Sequence, residues 1–346
     1  MLKDDVCVIG MGLGGERVAY AFQQRNYSSY LINGSKQDNQ TLVGAKNILT
    51  LDGYDGLAGD RALAYEALKN NKGILRKIKE IEQKIILLCA TGGGTTGSGS
   101  ITHLANIACS MEDKTVCAVL MMPRRDEPIQ KRLNAYNAAK ELMEIEDMGA
   151  VILINNESYS DLDKINYHIV SMLDAFFTDN SCSTESNFDD SEKMKMLRDN
   201  GMFSIAMLCD ANEKKVSTQD MINALTAKNI FLPMSDSGIV SHIGIINQKD
   251  NKMDTKEIIR AVGTPENVFI GCGGHINIVA VSGMAFPVSY LSEMGKAAVS
   301  EQKDRLNKRK SFNLLDDLEV IEEEIRVEKK INKSRQVSLD LLKDLD

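Results

Sequence analysis

The chain has no Cys-x-x-Cys pair, no apolar run of membrane-spanning length and no excess of positive charge, and each absence removes a class of function. Most of the seven cysteines fall in apolar strand patterns (Cys7, Cys89, Cys117, Cys209), so they read as small reduced core residues and not as a disulfide frame or metal site. The four histidines, His103, His168, His242 and His275, are scattered, and each reads as structural. No apolar stretch approaches the roughly 20 residues that cross a bilayer, and no signal peptide opens the sequence; the expectation is a soluble, cytoplasmic protein without a membrane partner. A net charge of -8 over 346 residues argues against a broad nucleic-acid surface and leaves only local basic patches. The 43% hydrophobic content suffices for a full core and two subdomains.

Glycine is what the sequence does have, in clusters. The buried-strand run 85–90 feeds 91–100 (Thr-Gly-Gly-Gly-Thr-Thr-Gly-Ser-Gly-Ser), which is followed by the helical spacing Ile101, Leu104, Ala105, Ala108. Strand, glycine turn and helix together let main-chain N–H groups and a helix N-terminus surround a phosphate. Glycine admits close approach and positive φ, and the Thr and Ser hydroxyls add donors. No Lys follows the glycines, so the P-loop pattern is not met. A tight backbone crossing is the plain structural alternative.

Two further turns have the same layout. Strand 6–9 runs into Gly10-Met11-Gly12-Leu13-Gly14-Gly15 and a helix, a Gly-x-Gly-x-x-Gly order that first suggests a Rossmann-type NAD enzyme. That reading wants an acid at the end of the second strand, where Asn33 stands. The third turn, with Gly53, Gly56, Ala58 and Gly59, leads through Asp60 and Arg61 into another helix. Asp60 is either a helix-start charge or a contact to phosphate-bound Mg²⁺, directly or through water; Arg61 is placed to meet a phosphate oxygen. Strands at 116–122 and 150–154, with a helix over 129–148 between them, complete the alternation of a doubly wound parallel sheet, whose ligands sit at the strands' carboxyl ends.

Gly93-Gly94-Thr95-Thr96-Gly97-Ser98-Gly99 resembles the signature of the tubulin/FtsZ superfamily, and the other two glycine turns stand in the family order. The resemblance implies an α/β fold with a GTP-binding domain (1–158), a central core helix (159–180), a smaller second α/β or activation domain (181–288), and a C-terminal helix with a charged tail (289–346). It implies GTP/GDP and Mg²⁺ as cofactors. The phosphates would be bound by Gly93, Gly94, Thr95, Thr96, Gly97, Ser98 and Gly99; the first turn (Gly10, Gly12, Gly14, Gly15) would also contact the nucleotide, and the third (Gly56, Ala58, Gly59, with Asp60 toward Mg²⁺) would sit near the terminal phosphate. Glu127, four residues after Pro123, would meet the ribose; Asn166, near the start of the core helix, and Asn156 would read guanine, the alternative being cap or surface amides. Tyr159 or Tyr167 would stack on the base. Asn187-Phe188-Asp189-Asp190-Ser191-Glu192 resembles the family's catalytic loop, making Asn187, Asp189 and Glu192 the catalytic candidates, supplied to the neighbouring subunit. An acidic N-cap on a surface helix is the competing reading.

The charged C-terminal helix brings the chain nearest the phage- and plasmid-borne TubZ branch. Leu314, Leu318, Ile321 and Ile325 form a heptad-like seam, followed by the basic patch Lys329, Lys330, Lys333, Arg335. The resemblance implies self-assembly, a DNA-binding adaptor of TubR type held by this tail, and DNA reached indirectly; a helix packed along its own domain is the alternative. The expected function is a GTP-hydrolysing filament protein that segregates plasmid or phage DNA. A nicotinamide- or nucleotide-sugar-binding oxidoreductase and a GTP-binding regulator without turnover are the rivals.

Overall fold

The computed structural model describes residues 1–178, 188–210, 215–234 and 237–311, with side chains up to residue 309. The first half alternates strand and helix: β1 Val6–Met11, α1 Gly12–Gln23, β2 Ser28–Asn33, α2 Lys36–Gln40, β3 Ile48–Thr50, α3 Arg61–Asn70, α4 Lys72–Lys79, β4 Ile85–Thr91, α5 Thr95–Cys109, β5 Thr115–Met122, α6 Ile129–Met143 and β6 Ala150–Asn155. After α7 (Leu162–Thr178) come α8 Asp190–Arg198, β7 Gly201–Leu208, α9 Thr218–Thr226, β8 His242–Gln248, α10 Thr255–Val262, β9 Asn267–Gly274, β10 Asn277–Met284 and α11 Val288–Ser311.

Among the described residues one sheet of ten strands carries the fold, in the order β3-β2-β1-β4-β5-β6-β7-β10-β8-β9. From β3 to β7 every pairing is parallel. The strands β1 and β5 are buried along their whole length, as continuous apolar runs between two helical layers require. β6 and β7 share only two register pairs; the carboxyl half of β6 pairs instead with the segment around Phe231. β10 runs antiparallel between β7 and β8.

The doubly wound α/β reading holds, with local differences. Helix α6 stops at Met143, not at 148: the Met148 N–H closes a turn on the Ile145 carbonyl, and Gly149, where a Cβ would strike the Leu197 carbonyl, leads into β6. The glycines at 273 and 274 extend β9, and β9 and β10, consecutive in the chain, are separated in the sheet by β8. The elements α2, β3 and α4 were not anticipated.

Helix α7 crosses from one edge of the sheet to the other. Its 17 residues rise about 1.5 Å each, roughly 25 Å in all. Its buried stripe is Ile165, Ile169, Val170, Leu173, Phe176 and Phe177, while Leu162 at its start is 45% exposed. The Arg25 guanidinium, at the far end of α1, donates to the Val170 carbonyl and pairs with Asp174 at 3.3 Å. The helix therefore starts beside the carboxyl ends of the strands and finishes at their amino ends.

Candidate functional site

The three glycine turns meet at the carboxyl edge and pack on one another. A Cβ on Gly14 would overlap the Thr91 side chain, and one on Gly15 the Cys89 carbonyl. A Cβ on Gly97 would lie 2.8 Å from the Met11 oxygen, and one on Gly99 2.7 Å from the Arg61 oxygen. The first turn thus nests in the second, and the second in the start of α3. Gly10 is required inside the first turn itself, where a side chain would strike the Gly15 carbonyl, and Gly12 takes φ +67°. Gly93, Gly94, Thr95 and Thr96 are partly exposed, whereas Gly97, Ser98 and Gly99 are buried below them. Helix α5 begins on Gly94 with no side-chain cap, leaving its first N–H groups for a ligand.

In the third turn Gly53, Gly56, Ala58 and Gly59 all have positive φ, between 45° and 92°. Nothing lies within 4 Å of a Cβ built on Gly53 or Gly56, so glycine there answers to conformation and not to crowding. Left-handed residues this close together curl the main chain into a concavity that suits an anion. Asp60 caps α3, its Oδ1 accepting from the Ala62 N–H at 2.9 Å, and its exposed carboxylate is the third turn's candidate for Mg²⁺. Among the described residues no group of three or more His, Cys, Asp or Glu gathers to hold a metal ion. A Mg²⁺ ion here would be held chiefly by phosphate and water. Arg61 does not face the cradle: it forks onto Glu141 (3.0 and 2.6 Å) and donates to the Ser98 carbonyl, locking α3 to α5.

The loop from Pro123 forms the rim. Glu127 accepts from the Arg124 N–H through Oε1 and from Lys131 through Oε2, both at 2.9 Å, and keeps lone pairs for a hydroxyl. Lys131, overlooked in the sequence, passes beside the signature loop: a Cβ on Gly93 would sit 3.1 Å from its Cβ. Its signal was the Glu–Lys spacing of four at a helix start. Asn156, just after β6, is buried, and Asn166, inside α7, is half-buried. Tyr159 stacks on His168 at 5.3 Å between ring centres, and Tyr167 is 64% exposed.

Behind the first turn, Asn33 donates its amide to Glu16 Oε2 at 2.9 Å. Glu16 is fully buried, its Oε1 has no partner, and burial pushes its carboxyl up to about 7 against the opposing hydrogen bond from Asn33. The end of β2 thus presents a committed amide where a dinucleotide enzyme needs a free acid.

Asp189 and Glu192 lie elsewhere. Asp189 caps α8, accepting from the N–H groups of Ser191 and Glu192, while Glu192 Oε2 accepts from the Asp189 N–H at 3.2 Å, a complete capping box. Burial pushes the Glu192 carboxyl upward. The other end of α8 touches Thr115 and Cys117, at the start of β5. The helix therefore sits at the amino edge, across the sheet from the glycine turns. Asn187 lies outside the described residues.

Residues 6–164 match the model of the Tubulin/FtsZ family, GTPase domain. The tubulin-like protein CetZ of Pyrococcus abyssi is 24% identical over 281 residues, covering 74% of this chain and 75% of the relative. Among solved structures, a tail-truncated TubZ of Clostridium botulinum phage c-st superposes with a TM-score of 0.77 at 21% identity, covering 88% of this chain and 100% of that one. A GTPγS-form protofilament of TubZ from Bacillus thuringiensis serovar israelensis gives 0.72 at 18% identity, covering 89% and 94%.

Proposed function

Because residues 6–164 form a GTPase domain of the tubulin/FtsZ family, we propose that this protein binds GTP at the carboxyl edge and hydrolyses it only when a second copy docks its α8 there. The supporting observation is the separation of the two residue sets. The glycine turns lie at one edge of the sheet and Asp189 with Glu192 at the other, joined by a helix roughly 25 Å long. One subunit cannot bring them together; head-to-tail stacking does so at every junction.

The three turns cradle the triphosphate, with the N-termini of α1 and α5 aimed at its charge. Lys131 adds a cation beside Gly93, Glu127 takes the ribose, and Asn156 with Asn166 reads the base. Asp60 is the residue that would hold a Mg²⁺ ion here, through water, and the ion would supply charge neutralisation. From the neighbouring copy, Glu192 and Asp189, joined by Asn187 as the resemblance implies, orient a water on the γ-phosphorus and receive its proton. The bond from phosphorus to the β-bridging oxygen then breaks, releasing GDP and phosphate. In this scheme 1–158 binds the nucleotide and 181–288 carries the activating face.

The narrower reading is segregation of plasmid or phage DNA through an adaptor of TubR type. It rests on the likeness to phage c-st TubZ and on the basic patch at 329–335. The relative CetZ carries no such role in its name, so the filament reading stands without it. The seam and patch at 314–335 lie outside the described residues.

The test measures GTP turnover per molecule against protein concentration, with light scattering in parallel. Turnover should rise with assembly and be near zero below its threshold. Full turnover in a dilute monomer, or assembly without any turnover, would contradict the shared site.

A further inference from the structure

We propose that Arg124 is a positioning residue for purine selection: by holding three main-chain carbonyls it sets the segment that presents Asn156 and leads into Asn166. The inference rests on the GTP reading above and deepens it.

Between β6 and α7 the chain runs from 156 to 161 without regular structure. A loop of this kind must satisfy its carbonyls from outside itself or leave them to water. Arg124 does this for three of them. Its Nε donates to the Asn156 oxygen at 3.0 Å, and its Nη2 to the oxygens of Tyr159 (2.9 Å) and Ser160 (2.7 Å). Its own N–H donates to Glu127, so one residue ties the ribose candidate to the base candidates. No ion pair with a carboxylate joins Arg124 to the described residues, which leaves the guanidinium wholly to the main chain. The planar fork is needed for this task, since an ammonium is a point charge that cannot span three carbonyls in fixed geometry.

Arg124 touches no base and is not a catalytic residue. Its effect is on where the Asn156 and Asn166 amides stand, and base discrimination depends on such placement more than overall affinity does. Amide groups aligned to the guanine edge reject adenine because mismatched donors and acceptors are left unpaired. Once the segment is loosened, both bases should meet the same ill-defined surface.

The experiment titrates the full chain with GDP and with ADP, which avoids turnover, and takes the ratio of the two dissociation constants. It compares wild type, Arg124→Ala, Arg124→Lys and, as control, Lys77→Ala, exposed on α4. The expected result is a ratio favouring GDP in wild type and Lys77→Ala. It should collapse by about tenfold or more in Arg124→Ala, the scale of one well-formed charged hydrogen bond, and fall partway in Arg124→Lys. Thermal unfolding accompanies each titration; if Arg124→Ala fails to fold, Arg124→Lys decides. A wild-type ratio retained in the folded Arg124 variants overturns the inference, whatever happens to their melting temperature. A ratio of one in wild type overturns the guanine assignment itself, so the two failures are told apart by which protein shows them.

Discussion

The two edges of the sheet treat their polar residues in opposite ways. At the carboxyl edge three loops brace one another: Gly97 fits against Met11, Gly99 against Arg61, and Arg61 reaches Glu141 and the Ser98 carbonyl. At the amino edge Asp189 and Glu192 cap only their own helix, and Asp189 stands exposed. A surface that must hold a multiply charged ligand needs preorganised donors fixed from several directions. One that must present carboxylates to a neighbouring copy needs them reachable and attached to something rigid. The comparison separates a holding edge from an offering edge, and four substitutions test it in order of expected effect.

The largest effect belongs to Gly97→Val. Its Cβ would already lie within 3.2 Å of the Met11 oxygen, the Ala90 Cβ and the Thr91 oxygen, so two loops must part to admit the branched side chain. Equilibrium titration should find nucleotide binding abolished, and unfolding should show a loss of several kcal/mol, as overpacking and backbone displacement combine. Binding that survives would mean the turns move independently and the bracing at this edge is incidental.

Glu192→Ala addresses the offering edge. Nucleotide affinity should be unchanged, because α8 lies across the sheet from the turns. Hydrolysis in assembled material should fall roughly 10²–10⁴-fold, the range for losing a positioned acid or base. Loss of the capping box should lower stability by about 1 kcal/mol. The two edges would cease to differ if the same substitution weakened binding in the isolated monomer.

Glu16→Gln asks what the holding edge conceals. The Glu16 carboxyl has an ordinary value of 4.5 and is pushed up to about 7 in the fold, burial being the main cause. Below pH 4.5 both folded and unfolded chains carry its proton, and burial adds no pH-linked penalty. As pH rises from 4.5 to 7 the unfolded chain loses the proton first, so stability falls by about 1.4 kcal/mol per pH unit. Above pH 7 the penalty is complete. Glutamine keeps an acceptor for Asn33 and has no proton to lose. The stability difference, variant minus wild type, should therefore be small below pH 4.5, climb through this window and level off above 7 at a few kcal/mol. A flat difference in denaturant titrations at pH 4, 6 and 8 would mean Glu16 ionises freely. The charged and polar groups facing it are Asp38 from α2, which raises its proton affinity, and Asn33 from β2, which lowers it.

Where the sequence was legible, the reason was local. The runs at β1, β4 and β5 announce buried parallel strands, and glycine spacing marks every turn of the cradle. The Asp189–Glu192 capping box could be read as an acidic cap from four consecutive letters, and that reading is also correct in the structure. What stayed hidden depended on partners far along the chain. Arg61 was assigned to phosphate because nothing near it in sequence announces Glu141, 80 residues on. The insertion of β10 between β7 and β8 leaves no trace in periodicity, since strands on either side of such a crossover look alike. Glu16 reads as an ordinary polar position at a helix start until Asn33 closes over it.

The smallest effect is expected at Ala58, the one residue among the four left-handed positions of the third turn that has a side chain. Its φ of +45° costs an L-residue about 1–2 kcal/mol, while glycine there would add about 0.4–1 kcal/mol of unfolded-state entropy. Ala58→Gly should therefore raise stability by less than about 1 kcal/mol. The same freedom acts against the ligand. A loop held left-handed at four positions is preorganised around its concavity, and replacing Ala58 lets it sample other shapes that must be given up on binding. The holding edge predicts a GTP affinity a few-fold weaker in a protein that is marginally more stable, measured by titration and unfolding on the same preparation. Unchanged affinity in the variant would make the third turn a surface loop outside the cradle, and tighter binding would show that the strain at Ala58 opposes the ligand instead of preorganising the loop for it.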